Sequence, residues 1–165
     1  MFDEFSKAVM FGNTEKVRQM IAAEPGIVNK SDDHGFTALH NAMSEDPNDG
    51  LIHLLENGAN TNAQNSDGIA PLHLACYAKN AKLLLEHGAD KNLRDNQQRT
   101  PLHVLASDGS ERFEVIQFLL ESGADATLKD SKGRTPVEIS KNRNDADIVE
   151  LFEIWSGDLE FDFDD

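Results

Sequence analysis

One six-residue phrase is written four times along this chain, and a chain that repeats itself at a near-constant interval has few folds open to it. The blocks are Gly35-Phe36-Thr37-Ala38-Leu39-His40, Gly68-Ile69-Ala70-Pro71-Leu72-His73, Gln98-Arg99-Thr100-Pro101-Leu102-His103 and Gly133-Arg134-Thr135-Pro136-Val137-Glu138, with starts 33, 30 and 35 residues apart. Between them a second phrase returns as Leu54-Leu55-Glu56-Asn57-Gly58-Ala59-Asn60, Leu84-Leu85-Glu86-His87-Gly88-Ala89-Asp90 and Leu119-Leu120-Glu121-Ser122-Gly123-Ala124-Asp125. Two phrases alternating at this period describe stacked modules, each hiding its apolar face only against its neighbours.

Local chemistry predicts the shape of a module. Thr before Pro starts a helix, because the hydroxyl can cap free N–H groups and Pro needs no partner at the first helical position. Leu-Leu-Glu-x-Gly-Ala ends one, with Gly free to adopt the left-handed conformation that satisfies the last carbonyls. The stretch from Gly58 to Gly68 is rich in Asn, Asp and Gly, as turns and hairpins require.

These residues resemble the ankyrin repeat family, over nearly the whole chain. The resemblance implies an all-α solenoid of L-shaped units, each a β-hairpin tip followed by two antiparallel helices. About five units are expected, at 1–34, 35–67, 68–97, 98–132 and 133–156, followed by an acidic C-terminal tail at 157–165. The first unit lacks the Thr-Pro-Leu-His phrase but keeps Ala8, Gly12, Val17 and Ile21 at small and apolar family positions. An end unit faces water on one side and is expected to diverge.

Unit three is three residues shorter than unit two, the loss falling between Ala75 and Leu83, and carries Ala70 where Thr would cap the helix. A shortened turn there predicts a bend or step in the stack; neutral drift in a tolerant loop is the alternative. Unit four has Gln98 at the usual Gly, which costs about 1 kcal/mol or changes the turn type. In the tail, Leu159, Phe161 and Phe163 alternate with carboxylates. An extended segment of that pattern suits docking as an added strand, and a terminus folding back on unit five is the alternative.

Charge bears on partners. Thirty acidic against fifteen basic side chains give a formal net charge of -15. That excess repels a phosphate backbone, so nucleic acid is not an expected partner, and a protein with a basic surface is. It also serves plain solubility. One cysteine, Cys76, allows no intrachain disulfide and points to a reducing compartment. The charged first twenty residues and the lack of a long apolar run give no secretory signal and no membrane partner, so a cytoplasmic protein, monomeric when free, is expected.

Six histidines raise the question of metal. His40, His73 and His103 recur at one register, which sets them about 10 Å apart in a stack, too far to share a zinc ion with ligands near 2 Å. The family resemblance makes them structural. Cys76 is expected as a buried small residue. No phosphate loop or nucleophile motif is present, so no enzyme activity and no cofactor are expected. The resemblance places partners on the tips and on the concave face of the first helices. The matching tip positions include Asp33, His34, Phe36, Asp67, Ile69, Arg99, Lys132 and Arg134, and the helix positions include Glu45, Tyr77 and Asp108. Phe36, Ile69 and Tyr77 stand out as apolar anchors. Phe161 and Phe163 complete the candidate set. Within this class the expected role is an inhibitor or immunity-type protein that neutralises a basic partner, with a scaffold or adaptor in a larger complex, or a host-directed effector, as the rival.

Overall fold

The repeats that the periodicity marks stack as helical pairs, except that the third sets a short 3-10 turn against a single α-helix. The computed structural model describes residues 1–46 and 49–156. Nine α-helices occur among them: α1 (Phe2–Met10), α2 (Thr14–Ala23), α3 (Ala38–Asn41), α4 (Asp49–Glu56), α5 (Ala78–Glu86), α6 (Pro101–Asp108), α7 (Phe113–Glu121), α8 (Pro136–Arg143) and α9 (Ala146–Ser156). Short 3-10 turns at Ala42–Ser44 and Pro71–Leu74 extend α3 and stand in for the first helix of unit three. First helices pack on first helices, with α1 on α3, the Pro71–Leu74 turn between α3 and α6, and α6 on α8. In the other layer α2 packs on α4, α5 on α7 and α7 on α9.

The core is one apolar strip along the stack, from Phe5 and Val9 through Leu39, Leu54, Leu72, Leu84, Leu102 and Leu119 to Ile148 and Phe152. Repeated Leu positions supply it because each lies on the side of its helix that faces the next unit. Among the described residues no strand forms, and the one β-bridge pairs Ser31 with Thr37. The hairpin tips are therefore tight turns, each closed by two backbone bonds such as Asp95 N–H to the Arg99 carbonyl and Gln98 N–H to the Asp95 carbonyl, both at 2.9 Å.

An Asx residue builds every tip. One side-chain oxygen of Asp32, Asn65, Asp95 and Asp130 accepts the backbone N–H two and four residues on, at 2.8–3.0 Å. Gln98 keeps the turn type of its glycine counterparts, with φ 60 against 79 at Gly68. The turn geometry is held by its neighbours, so the side chain carries the strain and the turn does not change.

Unit three shows what the missing residues remove. Its first helix is the four-residue turn Pro71–Leu74, and the chain is already extended at Ala75 and Tyr77. A helical turn present in units two and four has gone. Asn80, fully buried on α5, fills part of the gap, its amide donating to the Glu45 carbonyl at 2.8 Å and to that of Met43 at 3.4 Å. The second-helix layer is looser between α4 and α5 than elsewhere.

Candidate functional site

The three phrase histidines stitch neighbouring units. Nδ1 of His40, His73 and His103 accepts the backbone N–H of Thr37, Ala70 and Thr100 at 3.1–3.2 Å. That leaves Nε2 as the protonated nitrogen, which donates to the carbonyl of Ile69, Arg99 and Arg134 in the following unit at 3.0–3.2 Å. Burial is the leading cause that holds all three imidazoles below their ordinary pKa, against the opposing effect of those carbonyls. With both nitrogens engaged they are occupied as structural links. Among the described residues no group of three His, Cys, Asp or Glu side chains could hold a metal ion.

Glu138 takes the histidine position where no further phrase follows. Its carboxylate accepts the Thr135 N–H at 2.7 Å, and that bond leads in holding its pKa below the usual carboxylate range. A carboxylate completes the cap without needing a carbonyl beyond it.

A second ladder escaped the sequence reading. Asn29, Asn62 and Asn92 each accept, through Oδ1, the backbone N–H of Asn60, Asp90 and Asp125 in the next unit at 2.7–2.9 Å. The signal was available, since these asparagines recur 33 and 30 residues apart. The Asx residues of the tips were equally periodic. Asn80 was not, because only the shortened unit needs it.

These frameworks sort the candidate binding residues. Asp33, His34, Asp67 and Lys132 are exposed on the tips. The tips form a row through Ser66 N–H to the His34 carbonyl, Asn96 N–H to the Asp67 carbonyl and Ser131 N–H to the Gln97 carbonyl. Arg99 and Arg134 belong to the same row, but their guanidiniums are tied at 2.7 Å to Asp95 and Asp130, whose side chains are 0% and 2% exposed. These two tip arginines are thus partly an internal charge balance.

Ile69 is a correction. It is buried, not an exposed anchor, because the tip turns it between units while its carbonyl receives His40. Phe36 is half-buried, its ring edge-on to that of His40 at 5.6 Å. Tyr77 alone of the three keeps a large exposed surface, 40%. Cys76 is half-buried and not sealed in the core.

The first helices of units one to four enclose a groove of about 470 Å³ on their shared face. Half-buried Phe36, Leu74, Cys76 and Val104 line it, with Ser44, Asp108 and Arg112 at its edge. Asp108 and half-buried Glu45 thus sit at the inter-helix turns, away from the tips, and Asp108 accepts from Arg112 Nε at 3.2 Å. Phe161 and Phe163, with the rest of the tail, lie outside the described residues. No helix among the described residues is long and apolar enough to cross a membrane.

Known proteins share this pattern. Over 78 residues the chain is 36% identical to the human BCL-6 corepressor-like protein 1, an alignment taking in 47% of this chain and 4% of that protein. The chain thus spans a small fraction of that relative's length. A family model for ankyrin repeats, in three copies, matches residues 45–130, a little over half of the 165 residues. With its paired helices, Asx tips and histidine links, the chain belongs to the ankyrin repeat family.

Proposed function

We propose that this chain is a non-catalytic protein-binding module, cytoplasmic and monomeric when free, whose inner face and tips engage a partner with a basic surface and neutralise it, as an inhibitor or immunity-type protein does. The observation that carries this is the net charge of -15 on a scaffold whose buried carboxylates, Asp95 and Asp130, already have cations. Among the described residues most of the other acids are exposed. The frame that presents them is held between units by the histidine and asparagine ladders, and a preordered surface loses little freedom on association.

The test is affinity capture from the native lysate, followed by association kinetics and an activity assay on the captured partner. The association rate is expected to fall about tenfold or more between low and high salt. A rate that ignores salt sinks the basic partner. A partner that stays fully active when saturated sinks the inhibitor.

That second outcome favours an adaptor within a larger assembly. The motive for that reading is the similarity to BCL-6 corepressor-like protein 1, whose name describes a corepressor. In an adaptor the apolar Phe36 and Tyr77 would dominate, and replacing both with Ala would weaken binding more than deleting residues 157–165.

A further inference from the structure

The chain leaves α9 beside a seam of unit four. Aligned on the second-helix leucines, Phe152-Glu153 match Leu55-Glu56, Leu85-Glu86 and Leu120-Glu121. Trp155-Ser156 therefore fall where Gly58-Ala59, Gly88-Ala89 and Gly123-Ala124 stand. Those glycines, at φ 78 to 85, turn the chain off its helix. Two residues after each, the chain bonds to the preceding unit, as Asn60 to Asn29, Asp90 to Asn62 and Asp125 to Asn92. After α9 the residue of that register is Gly157, and on unit four the asparagine register is held by Thr127.

α9 has no glycine to turn on. It runs through Trp155 to Ser156, whereas α7 stops at Glu121, the counterpart of Glu153. Between this overrun and the loop of unit four lies a groove of about 460 Å³. Leu120, Ala126, Val137 and Phe152 give it apolar walls, and Thr127 and Trp155 line it while remaining exposed. Ser156 lines it too, so the segment that starts at Gly157 departs from within the groove.

That segment carries Leu159, Phe161 and Phe163 at alternate positions, separated by Glu160 and Asp162. Run as an extended chain, it presents the three apolar side chains on one side and those carboxylates on the other. At about 3.3 Å per residue, Phe161 reaches up to about 17 Å from Ser156 and Phe163 about 23 Å, so both rings come within range. Charge does not select this occupant. Asp125 and Glu153 line the groove, and Lys141 there is engaged by Glu153 at 2.9 Å. Attachment selects it, because a short tether holds the segment at an effective concentration in the millimolar range.

We propose that this groove seats the chain's own segment 157–165, with the Leu159, Phe161 and Phe163 side against Val137, Phe152 and Trp155 and the carboxylates turned to water. The seam that a following loop covers at the earlier joints is then covered here by apolar side chains of the segment. Seated in this way, Phe161 and Phe163 are withdrawn from any partner.

Trp155, the only tryptophan, reads the groove directly. The test compares the full natural chain with a full chain carrying Leu159→Ala, Phe161→Ala and Phe163→Ala. Acrylamide should quench Trp155 several-fold more strongly in the triple variant, with the emission shifted to the red. Added salt should preserve or strengthen the shielding in the natural chain, because it screens the like charges at the groove. Ala126→Glu, which fills the groove from its own wall and adds a repelling charge, should reproduce the triple variant.

Equal quenching in the natural chain and the triple variant overturns the proposal. Shielding that salt abolishes overturns it by marking an ionic contact. Shielding that disappears on dilution does so by marking a second copy as the occupant, and shielding gained only with a captured partner assigns the groove to that partner. If Ala126→Glu does not fold, the triple variant, whose helices are unaltered, still decides.

Discussion

The side-chain amide of Asn80 reaches back 35 residues to donate to the main-chain carbonyl of Glu45 at 2.8 Å. That bond spans the place where unit three lacks a helical turn, and with the main-chain bond from Cys76 N–H to the Met43 carbonyl at 3.0 Å it closes the joint between units two and three. Oδ1 of the same amide is the one buried polar side-chain atom without a partner among the described residues.

Removing the amide sets two effects against each other. Asn80→Ala strands the Glu45 carbonyl, at about 1–3 kcal/mol, and also removes an unsatisfied acceptor, which offsets part of that cost. The net loss should be about 1 kcal/mol. Asn80→Asp keeps the shape but sets a buried carboxylate against two carbonyls, and should cost more than Ala at neutral pH. Urea midpoints order the pair, and an Asp variant as stable as the natural chain would refute the bridging role.

Gln98 and Gly68 occupy equivalent tip positions and should respond in opposite directions. Gln98 holds φ 60, where a side chain costs about 1 kcal/mol, so Gln98→Gly should stabilise by up to that amount. At Gly68 an added Cβ would lie 2.6 Å from the backbone nitrogen of Asn96 in the next unit. Gly68→Ala therefore combines strain with a clash against main chain and should lower the melting temperature clearly. Equal responses at the two sites would contradict the tip geometry described above.

Ala70 leaves half a cap unmade. Its N–H still donates to His73 Nδ1 at 3.2 Å, but no hydroxyl stands beside that nitrogen as at Thr37 and Thr100, both 2.8 Å from their histidines. The backbone at Ala70 (φ -103, ψ 163) is close to that at Thr100 (φ -85, ψ 169). Ala70→Thr should thus raise stability by about 0.5–1 kcal/mol. An unchanged midpoint would mean that the hydroxyl finds no room there.

Acid should weaken the stack in two stages. The imidazoles of His40, His73 and His103 have folded pKa values below their unfolded value, chiefly because they are buried. As pH falls through about 6.5 the unfolded chain takes up those protons first. Their contribution is therefore full above that pH and declines below it. Asp130 acts lower down. Burial would raise its pKa, but Arg134 and the N–H groups of the tip outweigh burial and depress it. Its contribution is present above about pH 4 and lost as pH falls further. Urea midpoints that do not change between about pH 7.5 and 5.5 would contradict the first stage.

The repeat itself was legible because its cause is local. Thr-Pro starts a helix and Leu-Leu-Glu-x-Gly ends one wherever they are placed, and the interval between copies gives the stack. The recurrence marked the histidines and the odd Gln98, and the family resemblance implied the structural role of the former. Where the chain departs from its own period, residue chemistry stopped short. The missing residues could be counted, but nothing local said that Asn80 would turn inward to satisfy Glu45.

Exposure was the property that only three dimensions decided. Phe36, Ile69 and Tyr77 look alike as apolar residues at variable positions, yet Ile69 is buried, Phe36 is half-buried with its ring edge-on to that of His40, and Tyr77 stays open. Arg99 and Arg134 look like free cations until the fold sets them on buried Asp95 and Asp130. By itself the sequence determined the module, its period and its charge, because those depend on near neighbours along the chain. The tertiary structure decided which side chains remain available and where a groove opens, because both depend on residues about thirty positions away.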